Sequence, residues 1–329
     1  MTNDPMRFGI IGFGLFAERT ILPAIRGSGN AVVSALQKRS ADAAAAKAHE
    51  HGIPHAFATV NDLVEHPDVD AVFIVSANAA HAEETIAAAK AGKHVLVEKP
   101  MAATVHQAEQ MVRACRTAGV QLMVGHMVRF SPVITRMKQL MMEGAIGSIA
   151  HIETQFFYDH RLSHRGWLFD PKVAGGGPVH DIGVHCLDTL RFLFDDDPTV
   201  VRAVLDAAPT GDRTEATAAV VLQFSRGGLG SIFCSFTGSY RRSFIEIRGT
   251  DGTISAFDFT KSGAPVILHR VHAHEGEPLQ PLIEQISVPN LYAHEVRLFV
   301  DCIRNGVPNP IPGEEGLTNQ RILEQILSS

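Results

Sequence analysis

Over its first 125 residues the chain alternates short apolar runs with longer stretches of helical period. Apolar runs fall at residues 7–11, 31–36, 69–75, 94–97 and 120–124. The run at 69–75 is unbroken, as expected of a central parallel strand covered on both faces. Helical stretches lie between the runs, at 18–25, 41–51, a short one opening at Asn61, one starting at His81 and one at 104–118. They stop at Gly27-Ser28-Gly29, Gly52, Ala91-Gly92 and Gly119. Strands and helices alternating at this length predict a parallel sheet with right-handed crossovers.

The pattern then changes. A helix is expected from Pro132 to about Glu143. Beyond Ser148, residues 150–157, 217–224, 230–236 and 244–247 alternate or cluster apolar positions at strand length. Turn signals such as Arg226-Gly227-Gly228 and Thr250-Asp251-Gly252 separate these segments. Residues 293–305 and 314–327 read as helices. The expected architecture is an α/β doubly wound parallel sheet of Rossmann type over residues 1–125. An α+β domain with a large, mostly antiparallel open sheet follows over 126–329.

Composition bounds the function. The chain has 329 residues, 45% hydrophobic and 19% charged, with a formal net charge of -6, which suits a two-domain globular protein. No basic cluster exceeds Gln37-Lys38-Arg39 or Arg241-Arg242, so no nucleic-acid partner is expected. No apolar run reaches membrane-spanning length, and the polar opening Met1-Thr2-Asn3-Asp4-Pro5 does not read as a signal peptide. Cys115, Cys186, Cys234 and Cys302 are scattered without C-x-x-C spacing, which suits reduced thiols in a cytoplasm rather than disulfides or structural zinc.

The first apolar run ends in Gly12-Phe13-Gly14-Leu15-Phe16-Ala17, a G-x-G-x-x-A fingerprint placed between a strand and a helix. Gly12 allows the tight turn, Gly14 lets backbone approach a pyrophosphate, and Ala17 lets the helix pack close to the strand. Phe13 and Phe16 belong to the same cofactor-contacting turn. A dinucleotide would rest its pyrophosphate on the helix N-terminus. An NAD-selective site usually carries an acid about 20 residues further on, at the end of the second strand. This chain has Gln37-Lys38-Arg39-Ser40 there, so Lys38 and Arg39 favour the 2′-phosphate of NADP over NAD. Ser76-Ala77-Asn78 ends the third run, where ligands bind in doubly wound sheets. Lys99 leaves a buried strand and could polarise a substrate hydroxyl. Further on, Gly175-Gly176-Gly177 precedes a helix on which Asp181 and His185 stand four apart, a carboxylate and an imidazole suited to acid/base work. The glycine triplet suggests a close approach to a ligand, and no third metal ligand appears at motif spacing.

The fingerprint, Glu98-Lys99-Pro100, and Gly175-Gly176-Gly177 followed by Asp181, His185 and Asp188 together resemble the Gfo/Idh/MocA oxidoreductase family. Residues 89–102 and Gly313-Glu314-Glu315-Gly316 are also close to the family's wording. The resemblance implies that Lys99 and His185 are catalytic and that Asp181 orients substrate. It implies cofactor contacts at Ser76, Asn78, His81, Glu98 and Lys99, with Ser76-Ala77 standing where the family has Thr-Pro, and a Pro100 that is often cis. It implies hydride exchange between NADP or NAD and a sugar, inositol or other polyhydroxy or carbonyl compound. Arg129, Tyr158, His160, Arg165 and Trp167 come from segments expected to line the substrate pocket. It also implies a homodimer or homotetramer built through the C-terminal sheet. Two other functions share these features: a glycosidase that oxidises transiently with bound NAD, and a silent dinucleotide-binding regulator.

Overall fold

The computed structural model describes residues 4–163, 165–206, 213–272 and 281–329. Residues 1–3 of the polar opening lie outside them. The chain forms two units: Met1–His126 with Tyr292–Gln320, and Met127–Leu291 with Arg321–Ser329.

The first unit is built on six parallel strands: β1 (Met6–Ile11), β2 (Ala31–Gln37), β3 (His55–Phe57), β4 (Ala71–Ile74), β5 (His94–Glu98) and β6 (Leu122–Gly125). Their order is β3-β2-β1-β4-β5-β6. Every residue of β4 is buried, which is why its sequence is apolar without alternation. A π-helical turn at Ala17–Ile21 runs into α1 (Leu22–Gly27), followed by α2 (Ala41–His51), α3 (Val60–Glu65), α4 (His81–Lys90) and α5 (Val105–Ala118). Ser40, Thr59 and Thr104 cap α2, α3 and α5 by accepting backbone N–H groups, so each start coincides with a residue that competes well for the free donors. The order reverses between β1 and β4, which opens a crevice at their carboxyl ends. The three-residue β3 was too short to leave a period in the sequence.

In the second unit α6 (Pro132–Met142) precedes β7 (Ile149–Asp159), α7 (Pro171–Ala174) and α8 (Val184–Phe194), the last entered through a π-helical turn at Val179–Gly183. There follow β8 (Pro198–Leu205), β9 (Thr217–Phe224), β10 (Leu229–Ser235), β11 (Thr237–Gly249), β12 (Gly252–Phe257), β13 (Val266–His272) and β14 (Leu282–Ile286). The eight strands run β14-β13-β12-β11-β7-β10-β9-β8, antiparallel except where β10 meets β7. One face is buried. On β9, Ala218, Val220, Leu222 and Phe224 are buried, and Phe194 at the end of α8 stacks on Phe224 at 4.1 Å between centroids.

The last helices are α9 (Leu291–Asn305) and α10 (Gly313–Leu327). The sequence division at 125/126 placed both in the second domain, whereas Tyr292–Gln320 groups with the first unit. The cause is packing. Phe299 meets Phe8 of β1 at 6.2 Å between centroids, the Arg297 guanidinium donates to the Ser28 carbonyl at 2.9 Å, and the Val124 N–H of β6 donates to the Ile311 carbonyl at 3.0 Å. Among the described residues no helix is long and apolar enough to cross a membrane.

Candidate active site

Gly12 takes φ +83°, and a Cβ there would lie 2.7 Å from the Ser76 Cα, so β1 and β4 can approach only through a glycine. A Cβ on Gly14 would meet nothing closer than 3.9 Å, which leaves open space at the second glycine of the turn. Ala17 is buried against the sheet. This is the cradle a dinucleotide pyrophosphate requires. The Gln37 carboxamide is turned inward: it accepts from Gly12 N–H at 3.2 Å and donates to the Ala58 carbonyl at 2.9 Å. It stitches the glycine turn to the end of β3. Lys38 donates to the Phe13 carbonyl at 3.1 Å, and Arg39 is exposed. Phe13 N–H donates to the Gln37 carbonyl, and the Phe13 ring, 2% exposed and beside His51, serves the core. Phe16 is exposed and edge-on to Tyr292.

After β4 and β5 the two loops are tied by one imidazole. His81 places Nε2 3.2 Å from the Ser76 carbonyl and Nδ1 3.1 Å from the Pro100 carbonyl. Burial lowers its pKa to about 4 against the opposing pull of those carbonyls, and the neutral ring this favours carries one N–H, so it donates to one of the two carbonyls at a time. Lys99-Pro100 is cis, in keeping with the resemblance. Asn78 and Glu98 are buried, Lys99 is half-buried, and the Glu98 carboxylate accepts from Lys99 N–H at 3.2 Å. Gly12, Ser76, His81 and Pro100 are thus brought together at the carboxyl ends of β1, β4 and β5. Sequence reasoning missed Glu84, whose carboxyl accepts from the Ser76 hydroxyl at 2.5 Å. Its only sequence signal is a position eight residues after Ser76 on an otherwise alanine-rich helix.

In the second unit Asp181 is gripped from β7 and the loop after it. Arg165 donates to its two oxygens at 2.9 and 3.0 Å, and the Tyr158 hydroxyl donates at 2.8 Å. Burial alone would depress the Arg165 pKa, but the adjacent carboxylate outweighs it and raises it. Burial and the same carboxylate raise that of Tyr158. His185 is buried in the first turn of α8, 6.1 Å between ring centroids from Phe156. His160 sits in an aromatic cluster, 4.2 Å from Phe169 and 4.9 Å from Phe236. Trp167 is half-buried in a short 3-10 segment.

Two expectations change here. Arg129 was expected at the substrate; it forms a buried bidentate pair with Asp188 of α8, both bonds 2.8 Å. The glycine triplet was expected to admit a ligand. Instead, a Cβ on Gly177 would lie 2.0 Å from the Glu215 carbonyl oxygen, and one on Gly176 would lie 2.4 Å from the His180 Nδ1. The buried Glu215 carboxylate, which sequence reasoning missed, accepts from Gly177 and Val179 N–H at 2.9 and 3.0 Å and so anchors the start of the helix that carries Asp181 and His185.

Residues 6–126 match the oxidoreductase family with an NAD-binding Rossmann fold, and residues 134–255 match the GFO/IDH/MocA C-terminal domain. A relative from Ensifer adhaerens, 1,5-anhydro-D-fructose reductase, is 35% identical over 94% of this chain and 92% of its own length. The chain belongs to the Gfo/Idh/MocA family. As a member of that family it is an NAD(P)-dependent oxidoreductase, and the cradle at Gly12 and Gly14 fits the dinucleotide. A relative from Haloarcula marismortui, D-xylose 1-dehydrogenase (NADP+), is 28% identical over 99% of this chain and 91% of its own length. The crystal structure of aldose-aldose oxidoreductase from Caulobacter crescentus, complexed with glycerol, superposes with TM-score 0.87 at 27% identity, covering 98% of this chain and 97% of that one.

Proposed function

We propose that this enzyme exchanges a hydride between NADP(H) and a cyclic polyhydroxy or carbonyl compound of the sugar class. The observation that carries the cofactor choice is the end of β2. The position that would hold a ribose-binding acid is Gln37, whose carboxamide is spent on Gly12 and Ala58, and two cations follow it. The sugar class is supported by the relatives, an anhydrofructose reductase and a xylose dehydrogenase.

A dinucleotide held at the Gly12–Gly14 turn would supply or receive the hydride at nicotinamide C4. His185 exchanges the proton of the reacting hydroxyl, as base in oxidation and acid in reduction. Lys99 polarises the same oxygen as negative charge develops on it. Asp181, immobilised by Arg165, orients the substrate hydroxyls. Asn78, Ser76 and Glu98 fall to the cofactor side.

Calorimetric binding of NADP(H) and NAD(H) to the native chain and to Lys38→Ala/Arg39→Ala tests the cofactor choice. Tighter NADP(H) binding, lost in the variant, is expected; equal or tighter NAD(H) binding overturns it. Turnover in Lys99→Met and in His185→Ala is expected to fall by about 10²-fold or more, and rates near the native one in both would remove those roles.

The outer face of the second sheet supports self-association. Val204 of β8 is 76% exposed and Val221 of β9 52% exposed. Val204 and Phe233 flank Ala219 in one cross-strand row. A second copy of the chain covering this face would remove the apolar surface from water. Sedimentation equilibrium is expected to show a dimer or tetramer, weakened by Val221→Glu.

A further inference from the structure

Outside the residues assigned to cofactor, substrate and catalysis, His55 opens the edge strand β3, and His66 and Asp68 lie in the connection from α3 to β4. Sequence spacing hides the group, because ten residues separate the two histidines and no metal motif has that form. In the fold their ligand atoms all fall within 4.8 Å of one another. His55 Nε2 is 3.2 Å from Asp68 Oδ2, and the two imidazole rings are 4.1 Å apart between centroids.

We propose that His55, His66 and Asp68 form a binding site for a divalent transition-metal ion of the zinc class. The carboxylate is already oriented: Arg7 donates to Asp68 Oδ1 at 2.7 Å, which leaves Oδ2 directed at His55. A carboxylate only accepts, so the His55 Nε2 carries the proton of that bond. On metal binding the ion takes the place of this proton, which moves to Nδ1 through solvent. The His66 Nδ1 accepts from Asp68 N–H at 3.2 Å, and either of its ring nitrogens is of a kind that ligates zinc. Phe57 walls the site on its apolar side, 5.4 Å from the His66 ring. Three protein ligands and a water make the four-coordinate shell that zinc favours.

The surrounding charge selects the class of ion. Arg7 and Lys93, whose ammonium donates to the His66 carbonyl at 3.2 Å, balance Asp68 and Asp70. Calcium or magnesium gains little from a balanced field and two nitrogen donors, whereas zinc, cobalt, nickel and copper are bound by the imidazoles themselves. The other cluster of this kind among the described residues, Glu18, Glu50 and His51, is unlike it. There the Lys47 ammonium already sits 2.8 Å from carboxylate oxygens of both Glu18 and Glu50. An ion at His55, His66 and Asp68 would clamp the short edge strand to the segment entering β4, so its role is to stabilise the first unit.

The test uses the full chain without an affinity tag. Titration with zinc followed by calorimetry is expected to give one equivalent per chain and a raised melting midpoint. Affinity should fall about tenfold or more in His66→Ala and in Asp68→Asn, with turnover unchanged. Cobalt added to the native chain should give the intense visible bands of a four-coordinate ion, a readout that needs no variant. Absence of zinc binding, equal binding in native chain and variants, or only the weak absorption of six-coordinate cobalt overturns the proposal.

Discussion

Arg165 holds both carboxylate oxygens of Asp181, at 2.9 and 3.0 Å, with the Tyr158 hydroxyl closing on Oδ2 at 2.8 Å. The fork of the guanidinium fixes the plane of the carboxylate as well as its charge. Replacing Arg165 by Lys keeps the charge and loses the plane. With Asp181 as the substrate-orienting group, Arg165→Lys is expected to lower kcat/KM by about tenfold or more with little change in melting temperature, since Arg165 is itself half-exposed. Tyr158→Phe removes the bond to Asp181 and the one accepted from Arg165 at 3.2 Å, and should cost about 1–2 kcal/mol of stability. Steady-state kinetics with thermal melting separates the two effects.

The pair Arg129–Asp188 is of another kind. Its side chains are 10% and 2% exposed, so neither charge can be left to water. Removing one partner takes the bidentate bonds from a buried charge, at about 3–5 kcal/mol. Arg129→Met should therefore lower the urea midpoint sharply. The double variant Arg129→Met/Asp188→Leu should recover most of the loss, because an apolar pair of similar size has no buried charge. Equal instability of the single and double variants would contradict this account.

The division between what could and could not be read in the sequence follows physical range. Signals acting within one element were legible: the apolar run of β4, the caps at Thr104 and Gly119, and the glycine turn at Gly12 and Gly14. Signals that need a distant partner were not. Gln37 lies where a cofactor-selecting acid is sought, and only the fold shows its carboxamide bound to Gly12 and Ala58. Arg129 meets Asp188 across 59 positions, and Glu215 meets Gly177 across 38, with no local pattern at either end. Tyr292–Gln320 reads as ordinary helix and connection, and its return to the first unit depends on the shape of the surface around Phe8.

The glycine triplet yields a direct check on packing. A Cβ at Gly177 would overlap the Glu215 carbonyl oxygen, 2.0 Å away, and neither backbone can move without disturbing the bonds from Glu215 to Gly177 and Val179. Gly177→Ala is expected to cost about 3 kcal/mol or more. Gly166→Ala is the control, since nothing lies within 4 Å of its added methyl group, and it should stay within about 0.5 kcal/mol. Chemical denaturation of both variants decides whether the triplet serves packing.

Glu84 sets a pH dependence whose sign can be worked out. Burial raises its pKa from the ordinary 4.5 to about 7, with the Ser76 hydroxyl opposing and Glu83 adding to the shift. Between those values the folded chain keeps the proton and the unfolded chain has lost it. The unfolded state then binds fewer protons, so stability falls as pH rises through this window, at up to about 1.4 kcal/mol per unit. Below pH 4.5 both states are protonated and the contribution is fully present; above pH 7 both are ionised and it is gone. Ser76 also lies against Gly12 of the pyrophosphate turn, so the charge that appears on Glu84 above neutrality opposes the dinucleotide's phosphates. Cofactor affinity is therefore expected to weaken between about pH 6 and pH 8, and Glu84→Gln should flatten both this dependence and the fall in melting temperature. Parallel curves for the native chain and Glu84→Gln would show that Glu84 does not titrate in this range.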